Sequence, residues 1–152
     1  MYSCSVSGTA GLLLAQSNPQ VGTWKLNVAK TKYVGAEAPK SQTRTVTAQG
    51  EGAKISVEGV AADGSRVAYS YTTNYDGKDS PVSGVGAPRG EDALAIKRVD
   101  ANTTTTTTKK AGKVIGTNRS VIFKDGKVLT ITVKRTDDQG KPFSVTAVSD
   151  KQ

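Results

Sequence analysis

Histidine is missing from all 152 residues, and cysteine occurs once, as Cys4. Without an imidazole, neither a Ser-His-Asp triad nor a His-ligated metal can be assembled. A lone thiol excludes an intrachain disulfide and a cysteine-based metal site. The acids Asp63, Asp76, Asp125, Asp137 and Asp138 fall in turn-like stretches, where aspartate bends the chain, so no carboxylate pair is set for glycoside chemistry. No cofactor and no metal are expected. The enzymatic route left open is a lysine or tyrosine made reactive in an apolar lumen.

Aromatic residues are scarce too: one Trp, two Phe and five Tyr. A protein that stacks bases needs more of them, so no specific nucleic-acid partner is expected. No apolar run approaches the roughly 18 residues of a membrane helix, which leaves a soluble domain without a transmembrane segment. The nearest feature, Ala10 to Ala15 followed by Gln16, has the small-residue tail of a secretory signal. It is shorter than a normal apolar region, and no Lys or Arg precedes Lys25. Residues 1–17 are read as a signal-peptide remnant or disordered tail, residues 18–152 as one domain, and the location as secreted or periplasmic.

Positive charge is plentiful: 21 Lys and Arg stand against 13 Asp and Glu, a formal net charge of +8. Such a surplus keeps a domain soluble and draws it toward anionic surfaces, an envelope surface among them, without conferring specificity. Gly, Thr and Val favour strands. From Ser41 onward, strand-like runs alternate with Gly or Asp-Gly turns: Ser41–Gln49, Ala53–Val60, Ser65–Asn74, a short run within 75–83, Ala93–Val99, Asn102–Lys110, Lys113–Lys124, Lys127–Thr136 and Lys141–Asp150. Serial hairpins in an all-β sandwich or barrel are the simplest result. Gly84 to Gly90 fits no phosphate-binding motif and reads as a surface loop. Thr103–Thr108 raises an ice-binding reading, but one run is not a ladder and suits any half-exposed strand. Asn102 and Asn118 open Asn-x-Thr/Ser tripeptides that match the glycosylation rule and are read as silent.

The stretch Gly22-Thr23-Trp24-Lys25-Leu26-Asn27 opens the first strand with the only tryptophan. Gly22-x-Trp24 followed by short alternating strands resembles the calycin superfamily of lipocalins and fatty-acid-binding proteins. With Asn18-Pro19 and Lys30-Thr31-Lys32-Tyr33, the frame is similar to bacterial secreted lipocalin-like proteins. The resemblance implies a single antiparallel up-and-down β-barrel of roughly eight to ten strands. It also implies a ligand in the lumen and a basic residue of the last strands, Arg135 or Lys134, packed across Trp24. Fatty-acid-binding proteins place two lid helices after the first strand. Here Val28–Lys40 has room for one helical turn around Ala29–Lys32. Their carboxylate clasp, Arg-x-Tyr near the C-terminus, is replaced by Val145-Thr146-Ala147-Val148-Ser149.

Strand periodicity then distributes the side chains. Val67, Tyr69 and Tyr71 share a face. Around Asp125-Gly126, one register sets Ser120 beside Ile131, and the other sets Val121 beside Leu129 and Arg119 beside Ile131. The second keeps Ile115, Val121, Phe123, Leu129, Ile131 and Val133 together, so burial favours it. It also puts Arg119 and Arg135 on the apolar face, and the same parity aligns Arg98 with Leu94 and Ile96, and Arg44 with Val46. A guanidinium inside must reach the rim, pair with an acid, or meet an anionic ligand. The lumen candidates are therefore Arg119, Arg135, Arg98, Arg44, Tyr69, Tyr71, Phe123 and Ile131. The expected function is binding of a small apolar or amphipathic molecule, anionic ones included, by a monomer. The alternatives are a surface protein that uses its basic exterior and an enzyme with a lumen Lys or Tyr.

Overall fold

The computed structural model describes residues 18–123, 125–136 and 141–152. The signal-like stretch, Cys4 and the Asp137–Gly140 turn lie outside them. Twelve strands account for most of the described residues: β1 (Gly22–Leu26), β2 (Lys32–Val34), β3 (Ser41–Gln49), β4 (Gly52–Val60), β5 (Arg66–Thr73), β6 (Asp76–Pro81), β7 (Ser83–Val85), β8 (Ala93–Asp100), β9 (Thr103–Lys110), β10 (Lys113–Ile122), β11 (Val128–Thr136) and β12 (Pro142–Lys151). The helical turn expected near Ala29 is a single 3-10 turn, Val28–Lys30, whose Lys30 N–H donates to the Asn27 side chain.

Antiparallel ladders join the strands in the order β6-β8-β9-β10-β11-β12-β1-β3-β4-β5-β7, with β2 added to β12. Pairing of β1 with β12 brings the two ends of the described chain together and curls the sheet into a barrel. Expected strands β1, β3–β6 and β8–β12 are all present. The short β2 and β7 are additions that the alternation was too brief to reveal. Because β7 lies on β5 while β6 lies on β8, the chain passes back and forth across one seam that no ladder seals among the described residues.

One end is packed shut. Trp24 is 0% exposed and sits in a core with Val46, Ile55, Val57, Tyr75, Leu94, Ile96, Ile122 and Leu129. Residues leading into β1 bind across this end: the Trp24 indole N–H donates to the Gln20 carbonyl at 2.9 Å, the Gln20 amide donates to Thr104 at 3.2 Å, and the Tyr75 hydroxyl donates to Gln20 Oε1 at 3.3 Å. The cation beside the indole is Lys151, its Nζ 5.8 Å from the ring centre, in place of the expected Arg135 or Lys134. Lys151 is the direct cross-strand partner of Trp24, whereas Arg135 points elsewhere.

The favoured β10–β11 register is not the one the chain adopts. Asn118 lies beside Val133, Ser120 beside Ile131 and Gly116 beside Arg135, so Arg119 pairs with Thr132 and points outward. Phe123, 52% exposed, leaves the interior with it. The turn closes on Phe123 and Val128, with the Phe123 N–H donating to the Val128 carbonyl at 3.1 Å and the Gly126 N–H to the Phe123 carbonyl at 2.7 Å. Burial misjudged this hairpin because the space it faces is a cavity with other polar groups in its wall, where Asn118 and Ser120 are admissible. On β9, Thr103, Thr104, Thr106 and Thr108 are buried, which leaves no outward ladder of six.

Urea unfolding checks this packing. Trp24→Ala should cost about 3–5 kcal/mol, and Arg119→Ala should stay within about 0.5 kcal/mol. A large loss from Arg119→Ala would contradict the register.

Candidate ligand-binding cavity

Above the packed end the barrel holds a cavity of about 360 Å³. It is bounded at its mouth by Tyr33, Gly35 to Glu37, Ala61-Ala62, Gly86, Pro88 and Phe143. A second void of about 30 Å³, room for roughly one water, lies against Gln20 and shares Arg44, Tyr71, Thr106, Ser120 and Ile131 with the larger one. Large apolar side chains fill the tryptophan end, whereas a mixture of apolar, aromatic and polar residues lines the other.

Four of the eight lumen candidates meet in the cavity wall with Ile131 as a fifth: Arg44, Arg135, Tyr69 and Tyr71. Arg98 does not line it. Its guanidinium stacks over the Tyr75 ring at 4.4 Å, near the packed end. Arg119 and Phe123 are excluded by the register. No lysine lines the cavity among the described residues.

The two arginines differ in what they meet. Arg135 is buried, and its Nη2 lies 3.0 Å from Glu91 Oε2, with both side chains only 4% exposed. Its Nη1 approaches the Pro88 carbonyl at 3.5 Å. Gly116 makes room for it: a Cβ there would stand 2.4 Å from Arg135 Cγ. Arg44 donates from Nη1 to the Tyr71 hydroxyl at 2.9 Å. No carboxylate pairs with Arg44 among the described residues. Burial works against its charge, but Tyr71, Tyr69 and Glu91 outweigh that and shift its pKa above the ordinary arginine value. Burial also pushes the Tyr69 phenol well above its ordinary value, so it remains a hydroxyl donor.

Glu91 and Asn118 are the residues that strand reading missed. Inward acids were sought on the strands, and Glu91 is delivered from outside them, directly after the 3-10 turn Pro88–Gly90. The stretch read as a loop is in fact a strap: β7 binds β5, Gly86 passes with φ +78° close over Val67, and Glu91 turns inward. Gly86 and Gly90, both at positive φ, were the local signal that the chain bends tightly there. Asn118 was hidden by the register choice.

Within the barrel, then, two guanidiniums face one buried carboxylate, with Glu37 exposed at the rim. Together the fold and this cavity define a nearly closed antiparallel β-barrel whose lumen mixes apolar and polar side chains, compatible with a calycin-like architecture. No protein-family model and no curated protein matches the chain.

Burial holds the Glu91 carboxyl above the ordinary glutamate value, although Arg135 and Arg44 pull it down. The folded chain therefore binds this proton more tightly than the unfolded chain. Stability contributed by Glu91 falls as pH rises from the unfolded value through the folded one. Carboxyl-detected NMR should find the Glu91 midpoint raised, and raised further in Arg135→Met, while Glu91→Gln should remove this part of the pH slope. A midpoint at or below the ordinary value would contradict this electrostatic picture.

Proposed function

We propose that the barrel binds a small amphipathic anion in its lumen, with the apolar part against Val67, Leu94, Ile131 and Val133 and the anionic end at Arg44. The observation that carries this reading is the state of Arg44: a charged guanidinium facing the cavity, bonded to a phenol and paired with no carboxylate. A buried ion pair with its carboxylate raised by desolvation is weak support for stability, and such groups concentrate at functional clefts. A volume of about 360 Å³ lies at the small end of the range for ligand sites. The calycin resemblance read from Gly22-x-Trp24 points the same way. Tyr69 as a protonated donor favours binding an anion over serving as a base.

Displacement of a lumen-bound fluorescent probe tests this with decanoate and its neutral counterpart, decanol. Decanoate should displace the probe, and Arg44→Met should weaken decanoate by about 10- to 100-fold, the worth of a hydrogen bond to a charged group. Decanol should be unaffected by that change. The lumen reading fails if decanoate displaces nothing. Salt-sensitive binding to anionic vesicles that follows Arg119→Ala and ignores Arg44→Met would favour the surface alternative.

A further inference from the structure

Two buried polar atoms in the cavity wall have no hydrogen-bond partner: Asn118 Oδ1, an acceptor, and Arg135 Nε, a donor. Arg135 as a whole is 7% exposed, and both residues line the cavity. The β10–β11 register makes them diagonal neighbours. Gly116 lies opposite Arg135 and Asn118 opposite Val133, so Asn118 is one strand across and two residues along from Arg135. Diagonal neighbours of this kind have Cα atoms roughly 7–8 Å apart, within reach of a shared small group.

Leaving a buried donor or acceptor unmade is costly. The chemistry of the occupant follows from what each atom requires. A methylene satisfies neither. A carboxylate can accept from Arg135 but opposes the Asn118 oxygen, acceptor against acceptor. An ammonium could donate to Asn118 but meets a guanidinium of like charge. A hydroxyl serves both, since its oxygen accepts from Arg135 Nε while its hydrogen is donated to Asn118 Oδ1. Glu91 reinforces the distinction, because it already sets a negative charge against Arg135 at Nη2 and leaves Nε as the donor without a partner. Arg44, on β3 and bonded to Tyr71, remains the position for the anionic end.

We propose that Asn118 and Arg135 form a hydroxyl subsite, and that the preferred ligand is a hydroxylated amphipathic acid instead of a plain alkyl carboxylate. The assignment rests on the lumen being a ligand site, and it extends that reading to the substituent the ligand carries. Neither atom is open to solvent in the free protein, so an incoming hydroxyl must part the Asn118 and Arg135 side chains and make both bonds itself.

Calorimetric titration with decanoate and its 2-, 3- and 10-hydroxy derivatives tests the subsite in the intact chain. At least one hydroxy isomer should bind about tenfold more tightly than decanoate, the worth of one or two neutral hydrogen bonds. Asn118→Leu, close in size and without the acceptor, should erase the difference between that isomer and decanoate, while circular dichroism shows the barrel intact. The subsite is overturned if decanoate binds and no isomer gains, or if the gain survives Asn118→Leu. Absence of binding by every acid overturns the lumen reading itself, and the subsite with it, so the two failures are told apart. Should Asn118→Leu not fold, Asn118→Ser supplies the same comparison with a smaller, shorter side chain that cannot reach the amide oxygen's position.

Discussion

Removal of charge from water is the constraint on which the rest of this barrel depends. The β10–β11 register sends Arg135 inside, and a guanidinium there requires both space and a counter-charge. Gly116 gives the space, because a side chain at that position would collide with Arg135. The strap after β7 gives the counter-charge by turning Glu91 inward on a 3-10 turn. These adjustments lie far apart in sequence and converge on one ion pair. Desolvation still leaves the Glu91 carboxyl above its ordinary value, so the pair does not bring the stability its geometry suggests. Arg44 has no such compensation, only the Tyr71 hydroxyl, and that asymmetry gives the lumen its surplus positive charge.

The barrel is built as two ends with different duties. At one, Trp24, Tyr75, Ile96, Ile122 and Leu129 fill the interior, and Gln20 stitches the entering chain to the indole, to Thr104 and to Tyr75. Rigidity there comes from packing and from hydrogen bonds that span many residues of sequence. At the other end, threonine, serine, asparagine, tyrosine and arginine side chains stand among apolar ones such as Val67, Leu94, Ile131 and Val133, and the same inward parity yields a cavity instead of a core. The cavity end holds Asn118 Oδ1 and Arg135 Nε without hydrogen-bond partners.

Much of this was legible beforehand, for reasons that can be named. Gly and Asp-Gly turns marked the hairpins, and β-branched alternation located every long strand. Parity within single strands put Arg44, Tyr69 and Tyr71 on one inner surface, where they are found. What failed were inferences that needed two strands at once. Choosing the register of β10 against β11 by apolar burial assumed a filled interior, which moved Arg119 and Phe123 inside and hid Asn118 and Ser120. Glu91 was missed because a seven-residue stretch rich in glycine carries little periodicity, and its path across the seam is set by tertiary contacts with β5 and with Arg135. Lys151 beside the indole likewise follows from closure of β12 on β1, not from anything local to either strand.

The central claim is that one cavity arginine is committed to a carboxylate and the other stands ready for an anion. Nitrogen-15 NMR of the arginine guanidinium groups during titration with decanoate reads this directly. Saturable shifts confined to Arg44, with the Arg135 resonances and their contact to Glu91 undisturbed, are the expected result. Shifts at the outward Arg119 with Arg44 unmoved, or displacement of Arg135 from Glu91 by the incoming carboxylate, would contradict it.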